Sequence, residues 1–233
     1  MDIQKTSGFE NVMKLLYIFL PFILFLFGMY FFYFGVGTHN KVLKTKDDIE
    51  FIARNIHDSY LNRKYKDFTT NYVAMSNFLP FDVEIMNTPL GYQIPNRFGG
   101  KMFFYEAFST IAERTLYFAL YKEPDKYNEA NNGVGAYILL LTNLKKSECV
   151  MLSQTNWRQF IPNFIGIESS FVTPHTPYNG LYNLKTYLLI DNLGEKYDTK
   201  DEGIISRKPL STEDAEKACD CDWRNCMVAL KFL

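Results

Sequence analysis

Histidine is scarce in this sequence: only His39, His57 and His175 occur in 233 residues. The signatures that organise common catalytic sites are missing with it. There is no G-x-S-x-G nucleophile elbow, no H-E-x-x-H zinc helix and no glycine-rich phosphate loop. Aspartate and glutamate are plentiful, yet no pair stands apart as an acid/base couple. His39 and His57 fall on a helical segment and read as solvated. His175 lies between Pro174 and Pro177 and reads as a surface residue. Catalysis therefore has little support, and no cofactor is expected. Charge of one sign is also lacking: 25 Lys and Arg against 26 Asp and Glu leave a net charge of −1. A nucleic-acid partner is not expected, because such binding rests on a basic excess that neutralises phosphates. There is no internal repeat and no low-complexity tract. Cysteine does not occur before Cys149, and long apolar runs are absent except for one.

That one run is Leu15–Val36, LLYIFLPFILFLFGMYFFYFGV, 22 residues without a charge. At ~1.5 Å per residue a helix of this length covers ~33 Å, enough to cross a hydrocarbon core of ~30 Å. A helix satisfies its own backbone in lipid. Pro21 removes one of those bonds and predicts a kink. A cleaved secretory signal is the alternative, but the run exceeds the ~7–15 residues of a signal core and no A-x-A-like site follows it. The next apolar run, Tyr137–Leu141, has only the length of a strand. One span followed by about 195 residues suggests one domain beyond it. The 21 Phe and 16 Tyr suit a substantial packed core.

The four cysteines are Cys149, Cys219, Cys221 and Cys226. An even set in one domain reads as a disulfide framework in an oxidising compartment. Four cysteines allow three full pairings, and the spacing alone does not choose among them, although near neighbours Cys219 and Cys221 are poor partners. A four-thiolate metal site has the wrong spacing for the common zinc knuckles. Lys5 and Lys14 before the span, against Lys41, Lys44 and Lys46 after it, would by the positive-inside rule favour a cytoplasmic C-terminal domain. The cysteines favour export, and they outweigh a difference of one lysine.

Beyond the span, His39–Lys66 has helical periodicity. Val42, Ile49, Ile52, Ile56 and Tyr60 share one face, with Lys44, Lys46, Asp47, Asp48, Arg54 and Asp58 on the other. This segment could continue the span as one helix, with Gly35 and Gly37 as its weak points. From Phe68 onward Pro80, Pro89, Gly91, Pro95, Gly99 and Gly100 punctuate a loop-rich connection. Strands are predicted at Lys101–Phe104, Thr115–Tyr121, Tyr137–Leu141, Thr186–Ile190 and Met227–Phe232, with a turn at Asn131-Asn132-Gly133. A helix is predicted within Ser147–Phe160, and a long loop over Pro162–Asn183. That loop, with Trp157 nearby, is a candidate contact surface. A long helix followed by an antiparallel sheet is an α+β arrangement.

Four segments in this order resemble the type IV pilins, most closely the type IVb kind. The first is the N-terminus, a short polar leader ending in Gly8, then Phe9, Glu10 and the apolar helix. The second is Asn71–Phe104, with Leu79-Pro80 and then Asn96, Phe98, Gly99 and Gly100 leading into a strand. The third is LLLTNLKKSECVML, Leu139–Leu152, and the fourth is DAEKACDCDWRNCMVALKFL, Asp214–Leu233. The resemblance implies a leader (1–8), a membrane helix (9–36), its amphipathic continuation (37–66) and a head domain (67–233). It also implies cleavage by a prepilin peptidase after Gly8 and methylation of Phe9. By position in the family pattern it pairs Cys149 with Cys219, which leaves Cys221 for Cys226. The sequence departs from the family in its leader, which is not basic, and at the fifth mature position, where Met13 replaces the usual Glu; Glu10 stands at the second.

The function so implied is that of a structural subunit, minor or atypical, of a surface pilus or a related secretion or conjugation filament. Its partners would be other pilin subunits, the prepilin peptidase, the assembly machinery and inner-membrane lipid. It would sit in the inner membrane with a periplasmic head and move to the surface on assembly. Two other readings remain: an unrelated single-pass membrane protein with a binding or assembly domain, and a membrane-tethered enzyme.

Overall fold

A chain with one apolar run and a later set of short strands must bury those strands on something, and here the second half of a long helix supplies the cover. The computed structural model describes residues 5–60, 68–89, 91–107, 135–171, 196–198, 203–221 and 226–233. The chain divides into two units, Met1–Lys41 and Val42–Leu233. Helix α1, Lys5–Ser59, runs through both and continues past Pro21, Gly35 and Gly37. In the first unit its window Met13–Tyr30 is long and apolar enough to cross a membrane and is wholly exposed.

In the second unit the periodic residues of α1 are buried. Val42, Ile49, Ile52 and Ile56 join one core with Phe104, Leu139, Val228 and Leu230 of the sheet. Burial of four aliphatic side chains at ~25 cal/mol per Å² is a large part of what holds α1 there. The opposite face is exposed at Lys44, Asp47, Arg54 and Asp58. One residue departs from this division. Asp48, predicted on the solvent face, is buried. It lies four residues before Ile52, so a helical pitch carries it to the edge of the apolar stripe.

The remaining elements are α2 (Thr70–Met75), β1 (Met86–Thr88), β2 (Gly91–Pro95), β3 (Lys101–Ala107), β4 (Ala136–Leu144), α3 (Lys146–Ser153), α4 (Trp157–Phe160), β5 (Phe164–Phe171), β6 (Lys196–Asp198), β7 (Gly203–Ser206), α5 (Thr212–Ala218) and β8 (Cys226–Phe232). The strands form one sheet in the order β1-β2-β3-β4-β8-β5-β7-β6, with every pairing antiparallel. The last strand of the chain is thus an interior strand. All seven residues of β8 are buried. Tyr137, Leu139, Leu141, Val228, Leu230 and Phe232 face the core shared with α1, while Ile138, Leu140, Met227 and Ala229 face a second apolar cluster. That two-sided burial explains why β4 and β8 read as continuous apolar runs rather than alternating ones.

Aromatic rings link the elements. Tyr60, just after α1, meets Phe68 edge-on at 5.8 Å between centroids, Phe68 lies 5.2 Å from Tyr137, and Tyr137 stacks on Phe232 at 5.0 Å. Local caps fix the short helices. The Ser211 hydroxyl accepts from the Asp214 amide at 3.2 Å, and Glu148 accepts from the Lys145 amide at 2.8 Å, each satisfying an amide at a helix start.

Several sequence expectations change. The predicted helix to Lys66 ends at Ser59, and residues 61–67 lie outside the described residues. The connection after Phe68 is more regular than predicted, holding α2 and the β1–β2 hairpin. The predicted loop over Pro162–Asn183 begins with β5, an interior strand paired with both β8 and β7. Its composition misled because pairing on both edges satisfies a backbone that Gly166, Ser169 and Ser170 would otherwise leave in a loop. The strands predicted at Thr115–Tyr121 and Thr186–Ile190, the turn at Asn131–Gly133, and His175 lie outside the described residues.

Candidate functional site

The first sequence-predicted site, Gly8-Phe9-Glu10, falls in the opening turns of α1. Met13 is exposed there, at the start of the apolar window. Leu15–Leu20 and Phe22–Phe27 are likewise exposed on every side. A helix apolar all round needs lipid or other protein around it.

The second is the Asn96–Gly100 turn. Asn96 is buried and uses both ends of its amide. Its Oδ1 accepts from the Phe98 amide at 3.0 Å and the Gly100 amide at 2.8 Å. Its Nδ2 donates to the Thr142 carbonyl at 2.8 Å and the Lys101 carbonyl at 3.3 Å. One side chain therefore closes the turn and ties it to β4. Gly99 has φ +86°, a left-handed conformation open to glycine. A Cβ on Gly100 would lie 1.9 Å from the Thr142 carbonyl oxygen, so this position admits only hydrogen. Phe98 is buried in the core beneath. The motif thus aims the chain into β3.

Arg97, the variable position of that motif, carries what sequence reasoning missed. Its guanidinium forks onto Asp48 of α1, with Nε to Oδ2 at 2.5 Å and Nη2 to Oδ1 at 2.9 Å. Nη2 also donates to Asp82 at 2.7 Å, and Lys44 reaches Asp82 at 2.7 Å. The hydrogen bonds to Asp48 and then Asp82 raise the guanidinium above its ordinary pKa. Those from Arg97 and then Lys44 hold the Asp82 carboxyl well below the usual carboxylate range. This network joins α1 to the turn before β3 and to the Pro80–Val83 segment. Its signal in the sequence was an acid at a stripe-edge position of an amphipathic helix.

The third is the cysteine set. Cys149 of α3 is bonded to Cys219 at the end of α5, and Cys221 to Cys226 at the start of β8, with Cα separations of 5.8 and 5.5 Å. The sulfurs of Cys149, Cys219 and Cys226 lie within 4.8 Å of one another, all buried. Bonded as disulfides, they offer a metal no thiolate. Cys221 is half-buried and borders an open cleft of about 880 Å³ lined by Lys145, Lys146, Ser147, Val150, Met151 and Glu216. Lys146 is paired with Asp220 at 2.7 Å, which raises the ammonium pKa. Trp157, predicted beside a contact surface, is instead a core residue whose indole donates to the Leu152 carbonyl at 3.1 Å.

The geometry defines an α+β protein: a long N-terminal helix, apolar in its first part and packed on an antiparallel sheet in its second. No protein-family profile matches the chain, and no curated protein matches it. Among solved structures it is similar to a type IVb pilin from Salmonella typhi, at 12% identity and a TM-score of 0.45, over 84% of this chain and 97% of that one.

Proposed function

We propose that the protein is a type IV pilin-like structural subunit of a surface pilus or related filament, minor or atypical in kind. The observation that carries this reading is α1. One helix offers an exposed apolar surface, uncharged from Leu15 to Tyr30, in its first part and a one-sided apolar stripe in its second. An all-round apolar helix is at home in lipid and equally in a bundle of copies of itself, since either setting removes the same surface from water. Identical subunits added head to tail with a non-closing rotation give a helical filament. The Asn96–Gly100 turn, the late cysteines and the interior final strand fit the segments through which the sequence resembles that family. In this reading the leader is removed after Gly8, Phe9 becomes the methylated N-terminus, and the head lies on the periplasmic side before assembly. Pilin subunits, the prepilin peptidase, the assembly machinery and inner-membrane lipid are the partners.

Intact-mass measurement of protein recovered from its native cells tests the proposal. The expected mass lacks Met1–Gly8 and carries one extra methyl group on Phe9. A mature protein that retains Met1 would overturn processing, and absence from purified filaments would overturn the structural role.

A further inference from the structure

We propose that Cys221 is a thiol-exchange site, and that Cys226 relays exchange from it to the buried Cys149–Cys219 bond. Three observations carry the idea. Cys221 alone among the four cysteines is less than fully buried, and it borders the cleft beside Lys145 and Lys146. Its partner Cys226 is wholly buried. The Cys226 sulfur lies within 4.8 Å of both Cys149 and Cys219 sulfurs, so the two disulfides, which adjoin in the chain at Cys219 and Cys221, also have their buried sulfurs together in space.

The chemistry needs one co-reactant, a small thiol or the thiol of a dithiol protein. Its thiolate enters the cleft and attacks Cys221 Sγ. The Cys221–Cys226 bond breaks, a mixed disulfide forms on Cys221, and the electron pair leaves on Cys226 as a thiolate. Cys226 then attacks Cys149 Sγ. The Cys149–Cys219 bond breaks, Cys149–Cys226 forms, and Cys219 leaves as a thiolate that takes up a proton. No net oxidation or reduction occurs; each step exchanges one disulfide for another. The Ser153 hydroxyl donates to the Cys149 carbonyl at 2.7 Å and lies 3.6 Å from Cys219 Sγ, so turning to a thiolate there exchanges a neutral hydrogen bond for a charge-assisted one. That favours Cys219 as the leaving sulfur. Attack on the buried bond from solvent has no comparable path, because both its sulfurs are fully buried.

The test uses the full chain in detergent with reduced glutathione, quenched by iodoacetamide and mapped by mass spectrometry without reduction. In the wild type, glutathione should appear first on Cys221, and Cys149–Cys226 should follow. In Cys226→Ser the Cys149–Cys219 bond should open at least ten-fold more slowly than in the wild type. In Cys221→Ser, which frees Cys226 from the start, Cys149–Cys226 should form with no added thiol. Glutathione first on Cys149 or Cys219, or equal opening rates in the wild type and Cys226→Ser, would overturn the relay. So would Cys221→Ser with an intact Cys149–Cys219 bond. Because the wild-type time course needs no substitution, a variant that fails to fold leaves the proposal decidable.

Discussion

A buried carboxylate is costly unless a cation and hydrogen bonds meet it, and Asp48 meets both in Arg97. Arg97→Met would strand that charge in the interior. The expected loss is about 3 kcal/mol, read as a lower urea midpoint at unchanged slope. Asp82 shares the same guanidinium but is largely exposed, so Asp82→Asn should barely move the midpoint at neutral pH. That small loss should itself disappear in acid. The folded state holds the Asp82 carboxyl below its unfolded pKa, so its stabilisation is present above about pH 4 and fades as pH falls toward the folded value. Asp82→Asn should therefore flatten the acid limb of a stability profile. Gly100 is the steric counterpart of these charges. With a carbonyl oxygen 1.9 Å from the site of a Cβ, Gly100→Ala should cost about 2 kcal/mol or more through displacement of β4. Thermal unfolding against the wild type measures it.

At the scale of elements, the two disulfides do different amounts of the same work. Cys149–Cys219 spans 70 residues and joins α3 to α5, whereas Cys221–Cys226 spans 5 and fixes only the approach to β8. Loop entropy predicts about 4 kcal/mol for the first and about 2 kcal/mol for the second. Paired Cys→Ala substitutions should reproduce that order in urea, and a reversed order would show that strain or unfolded-state structure dominates. The elements also show where local sequence spoke clearly. The stripe of α1 was legible because 3.6-residue periodicity survives in any helix with one dry face. β4 and β8 were legible as apolar runs. β5 was not, because serine and glycine in a strand need neighbours on both sides, and those neighbours lie more than thirty residues away in the chain.

For the whole molecule, the division at Lys41/Val42 sets the useful experiment. A chain beginning at Val42 keeps the buried stripe of α1 and loses the exposed apolar window. It should fold, remain in solution without detergent, and show the same near-ultraviolet dichroism as the full protein. The full chain should partition into membranes. If the shortened chain still partitions, the apolar window is not the anchor.

The sequence by itself determined the apolar span, the amphipathic stripe that follows it, the paired disulfide-forming cysteines as a set, and the glycines of the Asn96–Gly100 turn. Each is a local property: length, period, residue type or the absence of a Cβ. Tertiary structure decided what depends on meeting across the chain. It placed the last strand inside the sheet, chose one cysteine pairing from three, buried Asp48 beneath Arg97 forty-nine residues away, and brought the Cys226 sulfur beside that of Cys149. Distance along the chain carries no record of such contacts, because their energy comes from burial and pairing that exist only once the sheet has closed over the helix.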